Sequence, residues 1–231
     1  MRFSGKILSA AISRTADRWY VSIQVELPDT EITTTSENQA VGVDLGVKAL
    51  ATLSDGTVIA GVKTGNQNEW KLRRLNQELS RRQGARRGEE KSNNFKKTKR
   101  KISRLYSKMA NIRSNETHQL TTRLMREYGL IGIEDLDVQG MMGERRLARS
   151  VADMSFFEFR RQLEYKAAVS GVRVVVADRW YASSKICSAC GNKYHELDLN
   201  EREWTCSKCG VHHDREVNAA QNLRNYAMRT V

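Results

Sequence analysis

Long apolar runs are missing from this 231-residue chain. No stretch of about 18 apolar residues occurs, so no segment reads as a membrane-spanning helix. The first residues also lack the basic, then apolar, then small-residue layout of a secretory signal. A soluble, intracellular protein without a membrane partner is expected. Proline is nearly absent; the single Pro28 ends a strand. Cysteine is scarce too, with four residues, and an intracellular setting disfavours disulfides between them. Internal repeats are absent, and no helix-turn-helix pair offers a separate sequence-reading domain.

Acidic charge is the minority: 27 Asp and Glu stand against 39 Lys and Arg, a net charge of +12. Residues 71–108 hold 15 Lys and Arg against three Glu, which equals the excess of the whole chain. A short charge run is usually a solvated helical face. A block holding all of the excess points instead to a polyanionic partner and to nucleic-acid contact.

Residues 5–27 read as two strands. In the second, Trp19, Val21, Ile23, Val25 and Leu27 alternate with polar neighbours, the period of a half-buried strand. A polar linker follows, with a boundary near residue 38. "AVGVDLG" is a buried strand carrying Asp44, and Asp55-Gly56 suits a hairpin turn. Helices are expected over 69–82 and 95–128, separated by the mobile loop "GARRGEEKSNN". "YGLIGIEDL" is a strand ending in Glu134 and Asp135. A helix opens at Ser155 with a Ser-x-x-Glu capping box to Glu158 and stops at Gly171. "VRVVVAD" is another buried strand, and a last helix runs from about Asp214 to Met228. Strands alternating with helices give an α/β core.

The cysteines fall in Cys187-x-x-Cys190 and Cys206-x-x-Cys209, with 15 residues between the pairs. That is two-knuckle spacing for zinc. Each pair turns back at a glycine, Gly191 or Gly210, so one tight turn aims two sulfurs at one ion. Four thiolates close the tetrahedron, so this zinc is expected to be structural. His212 and His213 then read as surface residues or neighbours of the site. Three carboxylates end separate elements: Asp44 and one of the adjacent pair Glu134 and Asp135 on strands, Asp214 at a helix start. Hard oxygen ligands from several elements suit a pair of Mg²⁺ ions in phosphodiester chemistry. Each has a plain alternative: Asp44 could head a turn, and Asp214 could be only a helix cap. Pattern alone does not choose between Glu134 and Asp135. Trp70, Trp180, Tyr181 and Trp204 fit packing better than base stacking, and Asp178 is a further acid near the ribbon.

"VGVDLG", "IGIEDL", "SSKICSACG", "EWTCSKCG" and "HHDREVNAAQNL" together resemble, in that order, the nuclease half of the TnpB (OrfB) family of insertion-sequence proteins. The resemblance implies an RNase H-like, RuvC-type mixed sheet flanked by helices, with an inserted zinc ribbon and an N-terminal β-hairpin remnant. It implies catalytic Asp44, Glu134 (rather than Asp135) and Asp214 holding two Mg²⁺, with one structural Zn²⁺ on Cys187, Cys190, Cys206 and Cys209. The implied organisation is a strand segment and linker (1–38), a nuclease core (39–184) with a basic helical insertion (69–128), the ribbon (185–212) and the last helix (213–231). The implied activity is metal-dependent, RNA-guided DNA cleavage, with DNA and a guide RNA as partners, in a bacterial or archaeal cytoplasm near the nucleoid. Family members usually carry a longer N-terminal region than residues 5–27, which leaves a place for a separate protein that supplies it. The rival readings are a non-cleaving DNA- or RNA-binding regulator, an inactive truncated nuclease and a strand-joining transposase.

Overall fold

The computed structural model describes residues 5–26, 39–83, 90–145, 147–194, 196–198 and 201–231. Along the chain run β1 (Lys6–Thr15), β2 (Arg18–Glu26), β3 (Ala40–Leu45), β4 (Ala51–Leu53), β5 (Val58–Ile59), α1 (Thr64–Arg81), α2 (Asn93–Glu127), β6 (Leu130–Ile133), α3 (Val138–Gly143), α4 (Ala148–Met154), α5 (Phe156–Ser170), β7 (Arg173–Val176), β8 (Glu203–Thr205), β9 (His212–Asp214) and α6 (Arg215–Thr230). The backbone divides into two units, Met1–Glu31 with Thr64–Ile112, and Ile32–Lys63 with Arg113–Val231. Among the described residues no helix is long and apolar enough to cross a membrane. The expected linker, and residues 84–89 of the expected loop, lie outside the described residues.

In the first unit β1 and β2 form an antiparallel hairpin. Leu75 of α1 packs against Ile102, Leu105 and Met109 of α2, the helical i, i+3, i+7 spacing of an apolar stripe. The half-buried face expected of β2 is not realised. Trp19 is 68 % and Val21 61 % exposed, because no described element covers either face of the hairpin.

The second unit is built on a mixed five-stranded sheet in the order β5-β4-β3-β6-β7. β3, β6 and β7 are parallel, and β4 and β5 are antiparallel additions. Gly56, at φ +89°, supplies the turn between β4 and β5. Side chains alternate across a strand, and this decides what each face holds. Val41, Val43, Leu45, Ile131 and Ile133 point to a core completed by Leu120 and Leu124 of α2, Met154 of α4, and Phe156, Phe159 and Leu163 of α5. Burial of each large apolar side chain contributes roughly 1.5–3 kcal/mol. On the opposite face Gly42 and Gly132 stand side by side in the parallel register. A Cβ on Gly42 would lie 1.8 Å from the Ala220 carbonyl oxygen, and one on Gly132 2.3 Å from that of Leu223. α6 therefore rests backbone to backbone on the middle of the sheet.

α5 stops at Gly171 (φ +70°), as expected. Its expected capping box does not form: Ser155 adopts the left-handed conformation, with φ 55° and ψ 41°, and its side chain makes no cap bond. Glu158 accepts instead from Arg161 and Gln162. A left-handed N-cap aims the hydroxyl away from the first turn, and two nearby donors claim the carboxylate.

Candidate active site and cysteine centre

Asp44 follows Gly42 by two positions on β3, and Glu134, the first residue past β6, follows Gly132 by two. Alternation therefore aims both carboxylates at the face that α6 covers. The register Val43 to Ile133 sets them on neighbouring positions at the parallel strand ends. The Leu45 N–H donates to Glu134 Oε1 at 3.3 Å, tying the second carboxylate to the end of the first strand. Asp135 lies on the other face, where its two oxygens accept from Arg160 (2.6 Å) and Arg179 (3.1 Å). Burial acts to raise its pKa, yet the two guanidiniums win and hold it below the usual carboxylate range.

Asp214 ends β9, opposite Glu203 in the ribbon hairpin, and caps α6. Its Oδ1 accepts from the N–H groups of Glu216 (3.0 Å) and Val217 (2.9 Å). Both bonds land on one oxygen, and Oδ2 makes none among the described residues. Charge links the acids. Burial, then Glu134, Glu216 and Asp214, push the Asp44 pKa well above the ordinary range against the pull of Arg215. Burial lifts Glu134 to about 7, partly offset by the Leu45 N–H. Carboxylates crowded this way are a donor set that a hard divalent cation suits. Glu216 is the acid that sequence reasoning missed. Its signal was an acidic residue in the first turn after Asp214, and Arg202 binds it.

The four cysteines are free, and their sulfurs all lie within 4.8 Å of one another. Cys187 to Cys209 and Cys190 to Cys206 are both 3.6 Å, close to the tetrahedral edge of about 3.8 Å that Zn–S bonds of about 2.3 Å give. Backbone N–H donation from Cys209 draws the Cys206 thiol down to about 6. The Val211 N–H favours a Cys209 thiolate, yet burial and the three other sulfurs push that thiol up to about 12. The set fits a cation that would relieve this opposition.

His213 is not the surface residue one reading expected. It is 6 % exposed, and its Nε2 lies 3.0 Å from Cys187 Sγ. Trp204 packs between it (4.7 Å) and a stacked Tyr194 (5.5 Å), and Tyr181 packs on Tyr226. Trp70 and Trp180 depart from the expected packing and are 70 % and 86 % exposed. Asp178 faces its own turn, accepting from the Trp180 N–H at 2.8 Å.

Two buried asparagines fasten the first knuckle to α6. Asn218 Nδ2 donates to the Ile186 carbonyl (2.7 Å), and its Oδ1 accepts from the Ser188 N–H (2.9 Å). Asn222 Nδ2 donates to the carbonyls of Ser183 (2.8 Å) and Ile186 (2.6 Å). Arg215 in turn donates to the Asp198 carbonyl across the ribbon.

Residues 22–145 match the family model OrfB_IS605, described as "Probable transposase", and residues 156–223 match "Cas12f1-like, TNB domain". A Streptomyces pristinaespiralis protein named "Putative RNA-guided DNA endonuclease" is 40 % identical over 90 % of this chain and 50 % of its own length. The "Putative RNA-guided DNA endonuclease InsQ" of Escherichia coli (strain K12) is 36 % identical over 95 % of this chain and 56 % of its own. The chain thus spans about half the length of the curated relatives it matches. A solved CRISPR-Cas12f ternary complex contains a chain with the same fold, at a TM-score of 0.56 and 18 % identity over 90 % of this chain and 42 % of that one.

Proposed function

This chain belongs to the family OrfB_IS605, described as "Probable transposase", and on that premise we propose that it is a transposon-associated endonuclease cutting DNA phosphodiesters with two metal ions. The observation that carries the reading is the meeting of three acids from distant segments. Asp44 and Glu134 end adjacent parallel strands, and Asp214 starts the helix seated over them. Burial and the nearby charges of Glu134 and Asp214 raise the proton affinity of Asp44, a burden that a purely structural site has no use for. Two Mg²⁺ ions held by Asp44, Glu134 and Asp214 would supply an activated water and neutralise the leaving oxygen.

The chain's own residues do the rest. The N–H groups of Glu216 and Val217 orient Asp214 through Oδ1 and keep Oδ2 for the site. Leu45 holds Glu134 beside Asp44. The cysteine centre, proposed as a structural Zn²⁺ site, braces the ribbon whose β9 ends at Asp214. The Lys- and Arg-rich α1 and α2 would supply salt-dependent phosphate contacts without reading sequence. The names of the relatives support a guide RNA as the second partner. The division into residues 1–38, 39–184 with 69–128 inserted, 185–212 and 213–231 is part of the same proposal.

The test is Asp214→Asn. Asparagine caps a helix about as well as aspartate but is a poor ligand for Mg²⁺. The variant should keep its circular dichroism and melting temperature while losing Mg²⁺-dependent cleavage of single-stranded DNA, assayed with the co-purified RNA. Undiminished cleavage would refute the assignment.

A further inference from the structure

A cavity of about 300 Å³ opens beside Glu134, at the small end of ligand-site volumes. Leu45 and Ile133 form part of its apolar wall, and Phe157, Arg160 and Arg179 border it. The carboxylate chemistry proposed above uses none of these last three. Phe157 is 71 % exposed, while its neighbour Phe156 is buried at 2 % and pins the backbone beneath it. The backbone is therefore fixed while the Phe157 ring stands open to solvent at the cavity's border.

The two arginines are prearranged as well. Asp135 Oδ1 accepts from Arg160 Nη1 at 2.6 Å, and Oδ2 accepts from Arg179 Nε at 3.1 Å and pairs with Nη2 at 3.0 Å. Arg160 Nε donates to Glu164 at 2.8 Å. Arg160 Nη2 and Arg179 Nη1 make no bond among the described residues, so each guanidinium keeps N–H donors at the mouth. A flat apolar ring beside two oriented guanidiniums is complementary to one chemical class, an unpaired nucleotide. Its base stacks on an aromatic face, and its phosphate accepts from planar N–H forks.

We propose that this cavity is a nucleotide subsite for the strand that is cut. One unpaired base of single-stranded DNA stacks on Phe157, and its phosphate takes the free N–H groups of Arg160 and Arg179. Asp135 is a positioning residue that holds the two guanidiniums. Glu134 lines the same cavity at the end of β6, so from a nucleotide seated on the Asp135 face the next phosphodiester has only to cross the strand ends to reach the carboxylates. The placement of the cut rests on the nuclease reading; the binding does not. Stacking accepts any base, so the subsite sets position and not sequence.

The test is fluorescence anisotropy of a short labelled single-stranded DNA, with calcium replacing magnesium to keep it intact and one nucleotide made abasic at each position in turn. One position should weaken wild-type binding by roughly 5- to 100-fold when its base is removed, the span of base–aromatic stacking. Phe157→Ala should weaken binding of intact DNA by a similar factor and become indifferent to that position, and Phe157→Tyr should restore it. Arg179→Ala should weaken all oligonucleotides alike and reduce the salt slope by about 0.7, the contribution of one phosphate contact on a single strand. Under magnesium, the wild-type cut should fall at the phosphodiester flanking the sensitive position. Wild-type affinity in Phe157→Ala, or no DNA binding by the wild type, overturns the proposal. The abasic pattern without any cleavage refutes the nuclease reading and leaves the subsite standing.

Discussion

Glu134→Gln should make the metal-free protein more stable at pH 8 and, on the nuclease proposal, abolish cleavage. Burial raises the Glu134 carboxyl from an ordinary 4.5 to about 7. The folded state thus holds this proton more tightly than the unfolded chain. Its contribution is full below pH 4.5 and is lost as pH rises through 7. The rise from 4.5 to about 7 is worth roughly 3 kcal/mol. Glu134 is half-buried, and solvent screening trims this to roughly 1–3 kcal/mol. Glutamine cannot ionise, keeps an Oε1 for the Leu45 N–H, and relieves Asp44 as well. At roughly 2–4 °C per kcal/mol for a chain of this size, the variant should melt about 2–12 °C higher at pH 8 and level with wild type at pH 4.5. Calorimetry in magnesium-free buffer, with no zinc chelator, reads this directly. Added magnesium should stabilise the wild type more than the variant and narrow the gap. Equal melting temperatures across the range, or a lower one for the variant at pH 8, would refute the argument.

Other outcomes follow from the seat of α6 and from the ribbon. Gly132→Ala puts a Cβ 2.3 Å from the Leu223 carbonyl oxygen, which should lift α6 and cost about 3 kcal/mol or more in urea unfolding. Asn222→Ala removes two buried donations to the Ser183 and Ile186 carbonyls and should cost about 2 kcal/mol, read in the same assay. A zinc chelator should erase hydrogen-exchange protection over residues 185–212 and shift the fluorescence of Trp204, which is 5 % exposed among Tyr194 and His213. Residues 39–83 should stay protected.

Much of the core was legible because a short apolar run is a local signal, and within "AVGVDLG" and "YGLIGIEDL" the side chains alternate. Val41, Val43 and Leu45 declared one face of β3, and Ile131 and Ile133 one face of β6. The same alternation carried a further signal that the sequence reading left unused. Gly42 precedes Asp44 by two residues, and Gly132 precedes Glu134 by two. That shared Gly-x-acid spacing places Glu134, not Asp135, on the face of Asp44. What escaped was set by distant partners. Ser155 looked like a cap, but backbone conformation overrode it. The sequence leaves His213 open between a surface residue and a neighbour of the cysteine site, and the pairing of β8 with β9, which sets it against Cys187, decides for the neighbour. The exposure of β2 could not be read from its period, which reports alternation and not what covers a face.

The glycine seat has a consequence for timing. Asp214 follows Asp44 by about 170 residues, and translation adds about 5–20 residues each second. Roughly 10–30 s therefore separate the emergence of the first acid from that of the last. Until α6 lands on Gly42 and Gly132, their bare backbone stays wet and the trio lacks a member. On the nuclease proposal, the nascent chain cannot cut while its third acid is missing. On the same proposal, anything that kept this one helix from landing would silence cleavage without touching a single carboxylate.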